Sequence, residues 1–191
     1  MKISEIKHDE ELLRLGQNGD KQATEELIRR YAGLVRRCAR GFFLIGGETE
    51  DLLQEGMIGL YSAIVGYQKD GGSSFKNFAY TCISRQIIDA VKGAASKKNE
   101  PLNGGVFLHD VEWMLAESSM DPEEALILSE ESKEFRQKMS RELSDFEFKI
   151  TTMYLEGMSS AEICAATGKS AKSVDNAVQR SKKKLQKILK K

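Results

Sequence analysis

Between Ser159 and Leu185 the chain reads SSAEICAATGKSAKSVDNAVQRSKKKL, a pattern suited to holding polar side chains against base-pair edges. A short capped helix, Gly168, a three-residue turn and a longer helix with Val174 six residues after the glycine match a helix-turn-helix. The glycine lets the first helix stop in a left-handed backbone before the second crosses it. With Val174 and Val178 turned inward, Lys172, Ser173, Asp175, Asn176 and Gln179 point outward, where their tips reach a major groove. Arg180, Lys182, Lys183 and Lys184 follow within two turns and suit phosphate oxygens. The competing reading is a helical hairpin with a solvated basic end.

Two further constellations carry weaker chemistry. On a helical wheel, Phe75, Ala79, Cys82, Ile83, Gln86 and Ala90 share one side, with Phe78 at its margin. Asn77, Tyr80, Thr81, Ser84, Ile88 and Lys92 share the other, flanked by Lys76 and Arg85. A tyrosine among polar and basic residues can stack unpaired bases while the cations follow the backbone, although such faces are often only solvated. Upstream, DLLQEGMIGLYSAI puts Asp51, Gln54 and Glu55 on one helical edge, either solvated, or docked on a basic partner, or paired with the arginine-rich stretch from Arg29 to Arg40.

Catalysis finds little support. His8 and His109 lie in segments expected to be irregular, so neither completes a nucleophilic triad, and no P-loop, HExxH or EF-hand loop occurs. Cys38, Cys82 and Cys164 are far apart and lack CxxC spacing, which predicts reduced, buried thiols and neither a disulfide framework nor a metal site. The expectation is a chain that is not an enzyme and needs no cofactor or metal.

The elements that must position these groups are all helical. A hairpin is expected from Asp9 to Phe43, broken at Gln17-Asn18-Gly19-Asp20, with Asp20 capping its second arm and Gly46-Gly47 ending the unit. A third helix opens at Thr49 with Glu50 and Asp51 in its first turn, its core face formed by Leu53, Met57, Leu60, Tyr61 and Ile64. After an Asp70-Gly71-Gly72-Ser73 turn, Ser74 caps a fourth helix that runs to about Ala95. KKNEPLNGGVFLHD has no sustained period and reads as a linker, after which Asp121-Pro122-Glu123-Glu124 opens a second domain. Ser144-Asp145-Phe146-Glu147 and Ser159-Ser160-Ala161-Glu162 repeat that capping logic, and Gly157 and Gly168 terminate the helices that follow each cap. The fold class is all-α, two helical domains joined by an irregular linker, the second containing the helix-turn-helix.

Composition agrees. The 191 residues hold 29 basic and 29 acidic side chains, so the formal net charge is +0, yet the charges are segregated. From Lys169 to Lys191 the only acid is Asp175, and from His109 to Glu134 the only strong base is Lys133. Such opposed blocks suit a polyanion-binding surface and a segment that avoids the polyanion. No apolar run reaches the roughly 18 residues of a membrane span and no signal-peptide core opens the chain, so no membrane partner and a cytoplasmic, nucleoid-associated location are expected.

The order DLLQEGMIGLYSAI, SSFKNFAYTCISRQI, linker, helix-turn-helix resembles a bacterial RNA polymerase sigma factor of the sigma-70 family. FFLIG, QEGMIGLY, ISRQII, PLN and KSVDNAVQR are similar to the alternative sigma-H group of spore-forming Gram-positive bacteria, which implies a sporulation-type factor. The resemblance implies that residues 1–96 form region 2, residues 97–120 a linker and residues 121–191 region 4. It implies docking of Asp51, Gln54 and Glu55 on core RNA polymerase. It also puts Phe75, Phe78, Tyr80, Ser84, Arg85, Ile88 and Asp89 at the minus-ten promoter element, Phe78 matching an aromatic that receives a flipped base. Lys172, Ser173, Asp175, Asn176, Gln179 and Arg180 match the reader of the minus-thirty-five element, with Lys182, Lys183 and Lys184 on phosphates. Thr81-Cys82 replaces the paired tryptophans of primary sigma factors, which implies a weaker strand-separating wedge and a need for better-matched promoters. No long inhibitory region precedes the first helix, so autoinhibition of that kind is not expected. The resemblance also admits an anti-sigma factor as partner. The alternative of a different class is a stand-alone helix-turn-helix transcriptional regulator whose first domain only dimerises or binds another protein.

Overall fold

The structure, a computed structural model, describes residues 8–42, 49–69, 73–98 and 133–189. Eight helices and no strand occur among them: α1 (Asp9–Gln17), α2 (Lys21–Gly41), α3 (Thr49–Gly66), α4 (Phe75–Lys98), α5 (133–142), α6 (Asp145–Leu155), α7 (Ser160–Thr167) and α8 (Ala171–Leu189). Gly46-Gly47, the Asp70–Gly72 part of the turn, the linker PLN segment and the Asp121-Pro122 helix start lie outside the described residues.

Helices α1 to α4 enclose one hydrophobic core. Asp20 accepts from the amides of Gln22 (2.9 Å) and Ala23 (3.1 Å), which is why the chain turns there and restarts as α2. The Gln17 side-chain amide donates to the carbonyls of Ile64 (3.0 Å) and Tyr67 (2.9 Å), so the end of α1 satisfies acceptors that the end of α3 leaves open. Leu27, Val35, Leu60, Ile64, Ile83 and Ile87 are among the buried side chains this arrangement covers.

The α3–α4 contact departs from the wheel reading. The buried face of α3 is Leu52, Gly56, Gly59, Leu60, Ala63 and Ile64, while Leu53 and Met57 are half-buried. Tyr61, expected inside, is 55% exposed. The reason is backbone proximity: a Cβ on Gly59 would sit 2.8 Å from both the Cys82 carbonyl oxygen and the Ile83 Cα, and one on Gly56 would sit 2.8 Å from Val35 Cγ1. A hydrophobicity wheel gives glycine no weight, so it rotates the core face toward the larger residues. Helix α4 is likewise buried more widely than expected, with Phe75, Ala79, Ile83, Ile87 and Val91 at successive i+4 positions and Ser84 beside them, because both α2 and α3 pack on it.

Helices α5 to α8 enclose a second core around Phe135, Met139, Leu143, Ile150, Ile163, Val174, Ala177, Val178 and Leu185. Both expected capping boxes form, with Ser144 and Glu147 at α6 and Ser159 and Glu162 at α7 exchanging hydrogen bonds in each direction. Gly168 ends α7 at φ +66 and Gly157 follows α6 at φ +87, both left-handed.

Replacing Gly59 by alanine must push α4 off α3, because the obstructing atoms are backbone. Gly59→Ala is expected to cost about 1–3 kcal/mol. A thermal-melt midpoint equal to that of the wild type would show that the helices can separate freely.

Candidate nucleic-acid interface

The helix-turn-helix has the geometry its spacing predicts. Val174, Ala177 and Val178 of α8 are buried against α6 and α7, and the opposite face leaves Lys172, Asp175, Asn176 and Gln179 exposed, with Ser173 half-buried. Ser170 accepts from the Ser173 amide at 3.3 Å and starts α8 at the turn. Five polar residues near the start of one exposed helix therefore present donors and acceptors together.

The trailing cations are not equivalent. Glu147, only 4% exposed, accepts from Arg180 Nε at 3.1 Å and from Lys184 Nζ at 2.7 Å, so these two side chains tie α8 to the capped start of α6. Their expected phosphate role is thus shared with a structural one. Lys183 is exposed, while burial lowers the pKa of half-buried Lys182. Lys184 is the main reason that the Glu147 carboxyl lies at about 2, below its usual 4.5, with the Ser144 amide and hydroxyl and Arg180 adding to the effect against burial.

On α4 the structure separates residues that the sequence grouped. Arg85 and Asp89 are exposed, and Phe78, Tyr80 and Ile88 are half-buried at the rim of the first core. Phe75 is 6% exposed and meets Tyr31 and Tyr67 edge-on, with ring centroids 4.9 and 5.3 Å away. Ser84, expected on the outer face, is 8% exposed, and its hydroxyl points at Cys38 Sγ, 3.9 Å away. The Ser84 placement is a correction, because it packs beneath the outer face and does not lie on it, whereas Phe75 lies on the packed side with Ala79 and Ile83, where the wheel put it. Phe78 lies against Tyr67 at 5.6 Å and is held by it at the rim. The three cysteines are free, and burial raises the Cys38 thiol to about 11 and the Cys82 thiol above its usual value.

On α3, Asp51 and Gln54 are exposed, whereas half-buried Glu55 accepts from the Gln86 amide at 2.8 Å. Three arginines of α2 pair with acids elsewhere. Arg29 and Arg30 pair with Glu26, Arg30 also with Asp9, and Arg36 with Glu162. Sequence reasoning missed Ile58, Tyr61 and Val65, exposed at 51%, 55% and 56%, which continue the Asp51 and Gln54 stripe at helical spacing. The two glycines were the available signal, since a core face through Gly56 and Gly59 puts these three opposite it.

Residues 27–97 match the model of sigma-70 region 2, and residues 139–185 match that of sigma-70, region 4. The chain belongs to the sigma-70 family. It is 42% identical over 192 residues to an RNA polymerase sigma-H factor of Bacillus licheniformis, across 95% of this chain and 86% of the relative. It is 41% identical to the sigma-H factor of Bacillus subtilis strain 168, across 95% and 88%. A solved sigma-H factor of Fusobacterium nucleatum shares 34% identity, covering 73% of this chain and 94% of that one, at a TM-score of 0.32. This sigma-70 chain is an alternative sigma factor that binds core RNA polymerase and directs promoter-specific transcription initiation. Among the described residues no helix is long and apolar enough to cross a membrane.

A depressed carboxyl pKa stabilises the fold above its unfolded value and loses that effect as pH falls through the folded value. For Glu147 the window is from about pH 4.5 down to about 2. Because Arg180 and Lys184 are largely solvated, Glu147→Gln is expected to cost only about 1–2 kcal/mol at neutral pH, the difference vanishing below pH 2. Denaturant titrations across that range check it. A difference independent of pH would contradict the assignment.

Proposed function

We propose that this sigma factor grips core polymerase through the outer face of α3 and reads promoter DNA with α4 and α8. The observation that carries the reading is the sidedness of α8: apolar residues are buried on one face, and Lys172, Asp175, Asn176 and Gln179 are presented on the other. In this assignment residues 1–96 act as region 2, residues 97–120 as a linker and residues 121–191 as region 4. The protein works in the cytoplasm at the nucleoid, adds no catalytic group to the polymerase, and is open to control by an anti-sigma factor.

On α3, Asp51 and Gln54 supply polar contacts, and Ile58, Tyr61 and Val65 supply apolar area along the same stripe. Exposed apolar groups rimmed by acid suit a protein partner with basic and apolar side chains. Glu55 acts one step removed, holding α3 and α4 in register through Gln86.

At α4, Phe78 receives a base unstacked from the melted minus-ten element while Tyr80, Arg85, Ile88 and Asp89 contact its flanks. Extracting a base costs a few kcal/mol and stacking returns about 1–3 kcal/mol, so only sequences that open easily are selected. At α8, Lys172, Ser173, Asp175, Asn176 and Gln179 read the minus-thirty-five element, with Arg180, Lys182, Lys183 and Lys184 toward phosphates.

Full-length chain mixed with core polymerase should co-elute and support start-site-specific transcription. Loss of both would refute the reading. Gln54→Lys or Tyr61→Ala is expected to weaken co-elution about tenfold or more while leaving circular dichroism unchanged, and full retention would remove α3 from the interface. Phe78→Ala should slow opening of duplex promoters more than it weakens binding to pre-melted template. Equal losses on both templates would assign Phe78 to packing.

A further inference from the structure

Glu147 makes more contacts than a capping residue needs. Its carboxylate accepts from the Ser144 amide and hydroxyl, both at 3.1 Å, and also from Arg180 Nε at 3.1 Å and Lys184 Nζ at 2.7 Å. The Ser144 contacts close the box that starts α6. Glu162 closes the same box at α7 with its side chain 57% exposed, so the cap itself does not require a buried carboxylate. What distinguishes Glu147 is its place under α8, where Lys172, Arg180, Lys182, Lys183, Lys184 and Lys187 stand against a single acid of that helix, Asp175.

Arg180 and Lys184 each bring one positive charge, and Glu147, with its carboxyl at about 2, returns one negative charge at neutral pH. The three together present the charge of one cation, not two, to an approaching duplex. The side chains of Arg180 and Lys184 are 56% and 45% exposed, so both reach phosphates with their charge partly compensated. Among the described residues, none of Lys172, Ser173, Asp175, Asn176 and Gln179 is tied to Glu147. The carboxylate thus weakens the pull of α8 on any DNA backbone and leaves the side chains that face base edges untouched. That distinction matters because binding to random sequence is almost wholly phosphate attraction, and random sites vastly outnumber promoters. Holding Arg180 and Lys184 also fixes α8 against α6, which base contact needs and phosphate attraction does not.

We propose that Glu147 is a positioning residue for promoter selectivity: it withholds about one phosphate contact from α8 and holds that helix at its reading angle, so that random DNA competes less well with the upstream element. The inference rests on the assignment of α8 to the minus-thirty-five element above. Glu147 touches no base and acts through Arg180, Lys184 and the α6–α8 contact.

Salt titrations of DNA binding by the full-length chain test this, with a random-sequence duplex and a duplex carrying the minus-thirty-five element of a promoter that the holoenzyme transcribes. Glu147→Gln keeps a capping side chain and removes the charge. For the random duplex it should steepen the dependence of log affinity on log salt by about 0.9, which is on the order of tenfold tighter binding at about 0.1 M salt. Preference for the promoter duplex should fall about threefold or more. Weaker binding to both duplexes at an unchanged slope would assign Glu147 to folding alone and overturn the proposal. The double variant Glu147→Gln/Lys184→Gln removes one charge of each sign and leaves no buried carboxylate unpaired. It should return the slope to that of the wild type, whereas a slope flatter by about 0.9 would show that Glu147 never offset Lys184 and would overturn the proposal on its own. A wild type without preference for the promoter duplex defeats the minus-thirty-five assignment and this inference together. A preference that Glu147→Gln leaves intact, at an unchanged slope, defeats this inference alone.

Discussion

The close approach of α3 to α4 at Gly59 sets the geometry on which both faces of the first body depend. With only hydrogen between the two backbones, α4 seats Ile83 and Ile87 in the core and carries Phe78 to its rim, while α3 turns Ile58, Tyr61 and Val65 outward. One contact therefore decides which α3 and α4 residues face outward and so, in the proposed reading, which are available to polymerase and to DNA. Glu55 and Gln86 then fix the register by a 2.8 Å hydrogen bond. The edge-on packing of Phe75 against Tyr31 and Tyr67 provides a floor beneath that rim, which suits the strand-separating role proposed for Phe78.

The second body solves a different problem. A recognition helix with many cations repels itself, and Glu147 relieves this while also capping α6. The same carboxylate thus fixes the angle between α6 and α8, so the exposed polar residues of α8, proposed to face DNA, inherit their orientation from a capping box two helices earlier. The Gly157 and Gly168 turns set the remaining angles, and Gly157 also offers its carbonyl to Arg36.

Helix order, both later capping boxes, the Asp20 break and the sidedness of α8 were legible in the sequence, because each rests on local rules acting within a few residues. The faces of α3 and α4 were less so. Their orientation depends on neighbours distant in sequence, and small residues at a close crossing are invisible to a hydrophobicity count. Ser84 illustrates this: an isolated helix would leave it wet, but α2 covers it with Cys38. The arginines of α2 were read as candidates to pair with α3, whereas Arg36 and Arg40 reach backbone carbonyls more than a hundred residues away, for which no charge pattern exists.

In the proposed reading, one chain touches two separated stretches of promoter, melted strand through α4 and duplex through α8. Site-specific photocrosslinking from positions 78 and 179 in a single holoenzyme–promoter complex tests this most directly. The expected result is a link from position 78 to the non-template strand of the minus-ten element and one from position 179 to the minus-thirty-five duplex on the same DNA. A link from position 179 alone, with position 78 joined only to protein, would contradict it.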